Sequence, residues 1–261
     1  MRNIRVFFVT GLGVMLTALP VTGDLPTVSA QSNERQLIVS VLDRDGAPVA
    51  GLGPNDFIVR EDDATREILR VEPAPNGRQI ALLVDTSQAA VSAITDFRRG
   101  LTAFVEAMHE GNEISIISFG GPPRILAKTT TSLTRLRDGV SKVFAYSGRA
   151  AYLIDAVSET VEGFEYREAT RPWVIILTTE GLDYSNRDAR LVLNRLEESG
   201  VGMHALVLLE RGRDTVDPSI SGHEIFRHRI ERDLLLDLGP KAGGGQRHDL
   251  VARPGNRAED A

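Results

Sequence analysis

One carboxylate and two hydroxyls follow directly on an apolar run in this chain, where Gln79-Ile80-Ala81-Leu82-Leu83-Val84 stops at Asp85-Thr86-Ser87-Gln88-Ala89. Three kinds of chemistry suit such a group. Oxygen donors of this type coordinate hard divalent cations, Asp and Ser cap helix N-termini, and a serine that met a distant histidine would be a nucleophile. A second acidic group, Thr178-Thr179-Glu180-Gly181-Leu182-Asp183, closes another apolar run that begins at Trp173. Other chemistry has little to stand on. The histidines of His223-Glu224-Ile225-Phe226-Arg227-His228 are five positions apart and about 140° apart around a helix, unlike the one-face pair of a zinc protease. The sequence contains no Gly-x-Ser-x-Gly elbow and no phosphate-binding loop. Gly243-Gly244-Gly245 reads as a turn after a helix.

The elements that must hold these residues are strands alternating with helices from Arg78 onward, the pattern of a mostly parallel sheet covered on both faces. The run 79–84 is too short for a buried helix and has no polar alternation, so it predicts a central strand. Ile94, Phe97, Leu101, Phe104, Val105 and Met108 recur at spacings of three and four and predict an amphipathic helix ending near Gly111. Further strands are expected over 113–119, 124–128 (an edge strand), 173–177 and 203–209. Further helices are expected over 133–143, 154–164, 188–198 and 225–238. Ligands of such sheets bind at the carboxyl ends of the strands, and that is where Asp85 and Glu180 fall.

Residues 31–77 read differently. Leu37, Val39 and Val41, the Asp45-Gly46 turn, then Val49, Leu52, Phe57, Val59 and Ile68 predict a small unit of short strands ending in a Pro73-Ala74-Pro75-Asn76-Gly77 linker. Asp43-Arg44-Asp45-Gly46 opens like a calcium loop but lacks the later oxygen ligands, so a hairpin turn is expected there.

Arg2 and Arg5 precede an apolar stretch from Val6 to Leu19, and Val28-Ser29-Ala30 fits signal-peptide cleavage after Ala30. Val21-Thr22-Gly23 offers a second cut, and retention as an N-terminal anchor is the alternative to cleavage. The expected location is therefore periplasmic or secreted. Cysteine is absent, which rules out disulfides and lipidated-cysteine anchoring. The 261 residues are 42% hydrophobic and 25% charged, ordinary globular values. A net charge of −6 with dispersed basic residues argues against nucleic acid, and 5% aromatics argue against stacking platforms for bases or sugars. Residues 252–261 read as a disordered tail.

In their order along the chain, Asp85-Thr86-Ser87, Ala150-Ala151-Tyr152-Leu153-Ile154-Asp155-Ala156 and Ile176-Leu177-Thr178-Thr179-Glu180-Gly181-Leu182-Asp183 resemble the von Willebrand factor type A (VWFA) domain over residues 78–251. The preceding segment, from Val41 through Asp43-Arg44-Asp45-Gly46 to Leu52, Asp56-Phe57 and Glu61-Asp62-Asp63, is similar to the β unit that precedes this domain in exported bacterial proteins. The resemblance implies a doubly wound α/β fold and a metal-ion-dependent adhesion site, in which three loops supply Asp-x-Ser-x-Ser, a Thr and an Asp to Mg²⁺ or Mn²⁺. Carried over position by position, Asp85 and Ser87 match, Ala89 replaces the second Ser, Ala151 replaces the Thr, and Glu180 replaces the Asp. The implied metal ligands are thus Asp85, Ser87 and Glu180, a degenerate set from which only weak Mg²⁺ or Mn²⁺ binding is expected. Arg149, in place of a glycine, is expected to be a solvent-exposed loop arginine, with pairing to Asp85 or Glu180 in place of a metal as the sharper alternative. The functional expectation is a non-catalytic module that binds a protein partner through Ser87, Gln88, Arg149, Glu180 and Asp183, with a weakened Mg²⁺- or Mn²⁺-dependent adhesin as the alternative and a hydrolase as a third.

Overall fold

The computed structural model describes residues 39, 41–44, 47, 49–61, 63–74, 77–209, 222–242 and 244–251. The expected signal segment, both cleavage sites and the expected tail lie outside the described residues. The chain divides into two compact units, Met1–Pro75 and Asn76–Ala261.

Among its described residues the first unit has two strands, β1 (Val59–Glu61) and β2 (Ala64–Arg66), paired antiparallel. Leu37 and several other positions of the alternation expected in this unit lie outside the described residues. Asp43 spends its side chain locally, its Oδ1 accepting the Ala47 N–H at 2.8 Å while its own N–H donates to Ala47 O. Asp45 and Gly46, where the turn is expected, lie outside the described residues.

The second unit carries β3 (Gln79–Val84), α1 (Ile94–Met108), β4 (Glu113–Ser118), β5 (Arg124–Thr130), α2 (Leu133–Ser141), α3 (Leu153–Tyr166), β6 (Pro172–Thr179), α4 (Ala189–Ser199), β7 (Gly202–Leu209), α5 (Gly222–Ala242) and β8 (Arg247–Val251). Its sheet runs β5-β4-β3-β6-β7-β8, parallel throughout except for the antiparallel β4/β5 edge pair. The fold is the expected doubly wound, mostly parallel α/β sheet. Strand β8 lies beyond the predicted set: His248 and Asp249 interrupt its apolar pattern, and an edge strand does not need two apolar faces.

Strand β3 has no polar alternation because helices cover both of its faces. Ile80, Leu82 and Val84 pack with Phe97, Leu101 and Val105 of α1 and Leu136 and Val140 of α2. Ala81 and Leu83 join Leu153, Val157 and Val161 of α3, Val192 and Leu196 of α4, and Leu235 and Leu236 of α5. At roughly 1.5–3 kcal/mol for each large side chain withdrawn from water, these two layers supply the stability that disulfides do not.

The chain leaves β3 for α1 on one face and leaves β6 for α4 on the other. A crevice therefore opens between the carboxyl ends of these neighbouring strands. Into it run the loops that begin at Asp85 and Glu180.

Candidate functional site

Asp85 is 1% exposed, and both of its carboxylate oxygens are engaged. Oδ1 accepts the Ser87 N–H at 2.9 Å, and Oδ2 accepts the Thr178 hydroxyl at 2.9 Å. Thr178 is the next-to-last residue of β6, so this bond ties the two strand ends at the crevice. On the far side of Thr178 stands a buried cation that the sequence reading did not single out. Arg232, on α5 and 4% exposed, donates from Nη2 to Thr178 Oγ1 at 3.3 Å and lies 3.6 Å from Asp233 Oδ1. A relay thus runs from the Arg232 guanidinium through the Thr178 hydroxyl to the Asp85 carboxylate. Burial pulls the Arg232 pKa down, and the charges of Asp85, Asp233 and Asp183 work against that shift. The floor of the crevice already holds a fixed positive charge between acidic groups.

Arg149 does not play this part. Its guanidinium lies 4.4 Å over the Tyr146 ring with Nη1 3.5 Å from Gly120 O, and no ion pair joins it to Asp85 or Glu180 among the described residues. A short loop arginine beside an aromatic ring finds that ring sooner than a buried carboxylate. Finding Arg232 instead from sequence would have required knowing how α5 crosses the sheet.

Asp183 is 2% exposed, so it serves the scaffold and not a partner surface. Its Oδ2 accepts the N–H of Leu153, the first residue of α3, and its Oδ1 accepts the Ser185 N–H at 3.0 Å. A carboxylate from the third loop thereby caps the helix that follows the second. Burial pushes the Asp183 pKa up, against the pull of its Ser185 and Leu153 bonds and of Arg232. Ser87 is also 2% exposed, and its hydroxyl has no hydrogen-bond partner. It does not cap the short 3-10 turn Gln88–Ala90 that it precedes. The surface expected to carry Ser87 and Asp183 narrows to Gln88, Arg149 and Glu180, all exposed.

Backbone bonds stitch the loops together. Gln88 N–H donates to Arg149 O at 2.9 Å, and Gln88 Oε1 accepts the Gly148 N–H at 2.6 Å. Ala151, 3% exposed, bridges Gly120 on one side and Asp183 on the other. Gly120 comes so close to the first loop that a Cβ there would lie 2.2 Å from the Thr86 carbonyl carbon, while its N–H donates to Thr86 Oγ1 at 3.0 Å. Glycine is required at that position.

As a ligand set for Mg²⁺ or Mn²⁺ these residues fall short. Near-octahedral coordination asks for about six oxygens. Ala89 and Ala151 offer methyl groups, a Cβ on Gly181 would lie 2.8 Å from that of Ala89, Asp85 has both oxygens engaged, and Glu180 is exposed. Among the described residues, the unpartnered buried hydroxyls of Ser87 and of Thr179, beside Glu180, are what favours a cation. Among the described residues, no three His, Cys, Asp or Glu side chains group to hold a metal ion. Among the described residues, no histidine is hydrogen-bonded to the Ser87 hydroxyl.

No protein-family model matches the chain, and no curated protein is similar to it. Solved structures are similar in fold. BatB from Bacteroides thetaiotaomicron is 10% identical, with 67% of this chain and 91% of that one covered at a TM-score of 0.49. The von Willebrand factor type A protein from Catenulispora acidiphila is 12% identical, with coverage of 68% and 39% and a TM-score of 0.46. The human COPII-coat protein Sec24c is 8% identical, with coverage of 69% and 30% and a TM-score of 0.51. The Asn76–Ala261 unit is a mixed, mostly parallel sheet flanked by helices, an α/β fold that the Sec24c structure shares.

Proposed function

We propose that this chain is an exported, non-catalytic interaction module, periplasmic or secreted, which binds a protein partner through the loops at the carboxyl end of its sheet without a resident metal. The observation that carries this reading is the Arg232–Thr178–Asp85 relay. It satisfies the acidic floor internally and leaves Gln88, Arg149 and Glu180 exposed on loops that are bonded to one another. Loops held in one conformation lose little entropy on binding, which favours recognition by a preformed surface.

Melting the purified protein in the presence and absence of MgCl₂ or MnCl₂ tests the metal-free part. A ligand that binds only the folded state raises the melting temperature by mass action. No shift is expected at millimolar cation. The orphaned Ser87 hydroxyl favours a second reading, a weakened Mg²⁺- or Mn²⁺-dependent adhesin, and that reading requires a cation-induced shift that Asp85→Ala abolishes. Affinity capture from an envelope extract, with and without chelator, tests the module itself. Capture that survives chelator and is lost with Gln88→Ala and Glu180→Ala together is the expected result, and failure to retain any protein would overturn the reading.

A further inference from the structure

A groove of about 340 Å³ lies between α1 and α2, and apart from Val140 the residues around it are basic and hydroxylic: Arg98, Arg99, Arg137, Thr95, Thr102 and Ser141. Two of the arginines are committed, Arg99 to Asp96 and Arg137 to Glu106, each at 2.6 Å. Arg98 has no carboxylate partner among the described residues. Its guanidinium stands 5.1 Å over the ring of Phe144, which is 48% exposed in the loop after α2. Two residues on, Tyr146 is 49% exposed beneath the Arg149 guanidinium. The groove thus continues through Arg98 into a surface of two exposed rings, each covered by an arginine unpaired with any acid among the described residues. The loop beneath is pinned, since Tyr146 N–H donates to Thr86 O at 3.2 Å and Arg149 O accepts the Gln88 N–H.

We propose that this surface docks an acidic segment of a protein partner, with its carboxylates on Arg98 and Arg149 and its apolar side chains against Phe144 and Tyr146. A guanidinium stacked on a ring keeps its N–H edge free for a carboxylate, and the ring holds that edge in place beforehand. Tyrosine and arginine anchors of this kind carry much of the energy in protein interfaces. An anionic membrane fits less well. Lipid recognition takes clusters of about four to eight basic residues, whereas two guanidinia without a carboxylate partner among the described residues stand here, on a chain of net charge −6. The proposal rests on the reading as an interaction module and specifies its partner's chemistry.

The test measures fluorescence anisotropy of a labelled peptide alternating glutamate, leucine and glycine, against the same peptide with glutamine for glutamate, using the full chain. The glutamine peptide is expected to bind about tenfold more weakly. Arg98→Gln with Arg149→Gln, and separately Phe144→Ala, are expected to lower affinity for the glutamate peptide by about the same factor, while Arg190→Gln on α4 leaves it unchanged. Unchanged melting temperatures establish that these surface variants fold. Equal affinity for both peptides, or full binding by the double arginine variant, overturns the proposal. So does arginine-dependent uptake by phosphatidylglycerol vesicles without peptide binding. Partner capture that is lost with Gln88→Ala and Glu180→Ala but kept by Arg98→Gln with Arg149→Gln overturns the groove and leaves the module standing.

Discussion

A buried arginine is costly unless it faces carboxylates, and a buried carboxylate is costly without a cation or donors, so Arg232 and Asp85 are interdependent. Removing one partner of such a set leaves the other uncompensated, typically at about 3–5 kcal/mol. Arg232→Met is expected to lose stability of that order in urea unfolding. Asp85→Asn combined with Arg232→Met should cost less than the two single changes added together, because the double variant buries no lone charge. Asp183 makes a prediction in pH. Its folded pKa is raised above the ordinary 3.8 by burial, so its contribution to stability is fully present below 3.8 and is lost as pH rises through the folded value. The stability of the wild type relative to Asp183→Asn should therefore increase as pH falls through the acid range. Urea unfolding at a series of pH values measures this, and a constant difference would contradict it.

Between elements, the crevice is held by close approaches as much as by charge. The end of β4 meets the first loop at Gly120, where a methyl group would fall within 2.4 Å of the Thr86 carbonyl and the Ser87 nitrogen. Backbone does not yield as the tip of a side chain does, so Gly120→Ala is expected to destabilise the protein by about 2 kcal/mol or more. Unchanged thermal melting of that variant would show that the loops can separate freely. The element boundaries legible in the sequence were those with strong periodicity. Helix α1 starts at Ile94 as expected, and β4, α3, α4 and β7 lie within two residues of the predicted ends. Helix α5 continues past residue 238 through Gly239 and Pro240 to Ala242 and so ends next to Gly243-Gly244-Gly245, toward which its end is expected. Pro240 is tolerated because it stands in the last turn.

In the whole molecule, both apolar layers lie within the Asn76–Ala261 unit, and their buried members run from Ile80 to Leu236. A fragment spanning residues 77–251 is therefore expected to fold by itself, with a cooperative melt by circular dichroism and a midpoint within a few degrees of the full chain. No helix among the described residues is long and apolar enough to cross a membrane. The sequence alone determined the alternation of strands and helices and the gathering of Asp85, Ser87 and Glu180 at strand ends, because apolar period and length report local burial. It also shows Ala89 and Ala151 at loop positions where the resemblance implies hydroxyls. Only the tertiary structure decided that Asp183 turns inward to cap α3, that Arg149 lies on Tyr146, and that Arg232 supplies the buried charge behind Asp85. Those outcomes depend on how distant segments cross the sheet. The period of a sequence records which face of an element is buried, but not which charged group from elsewhere in the chain will meet it there.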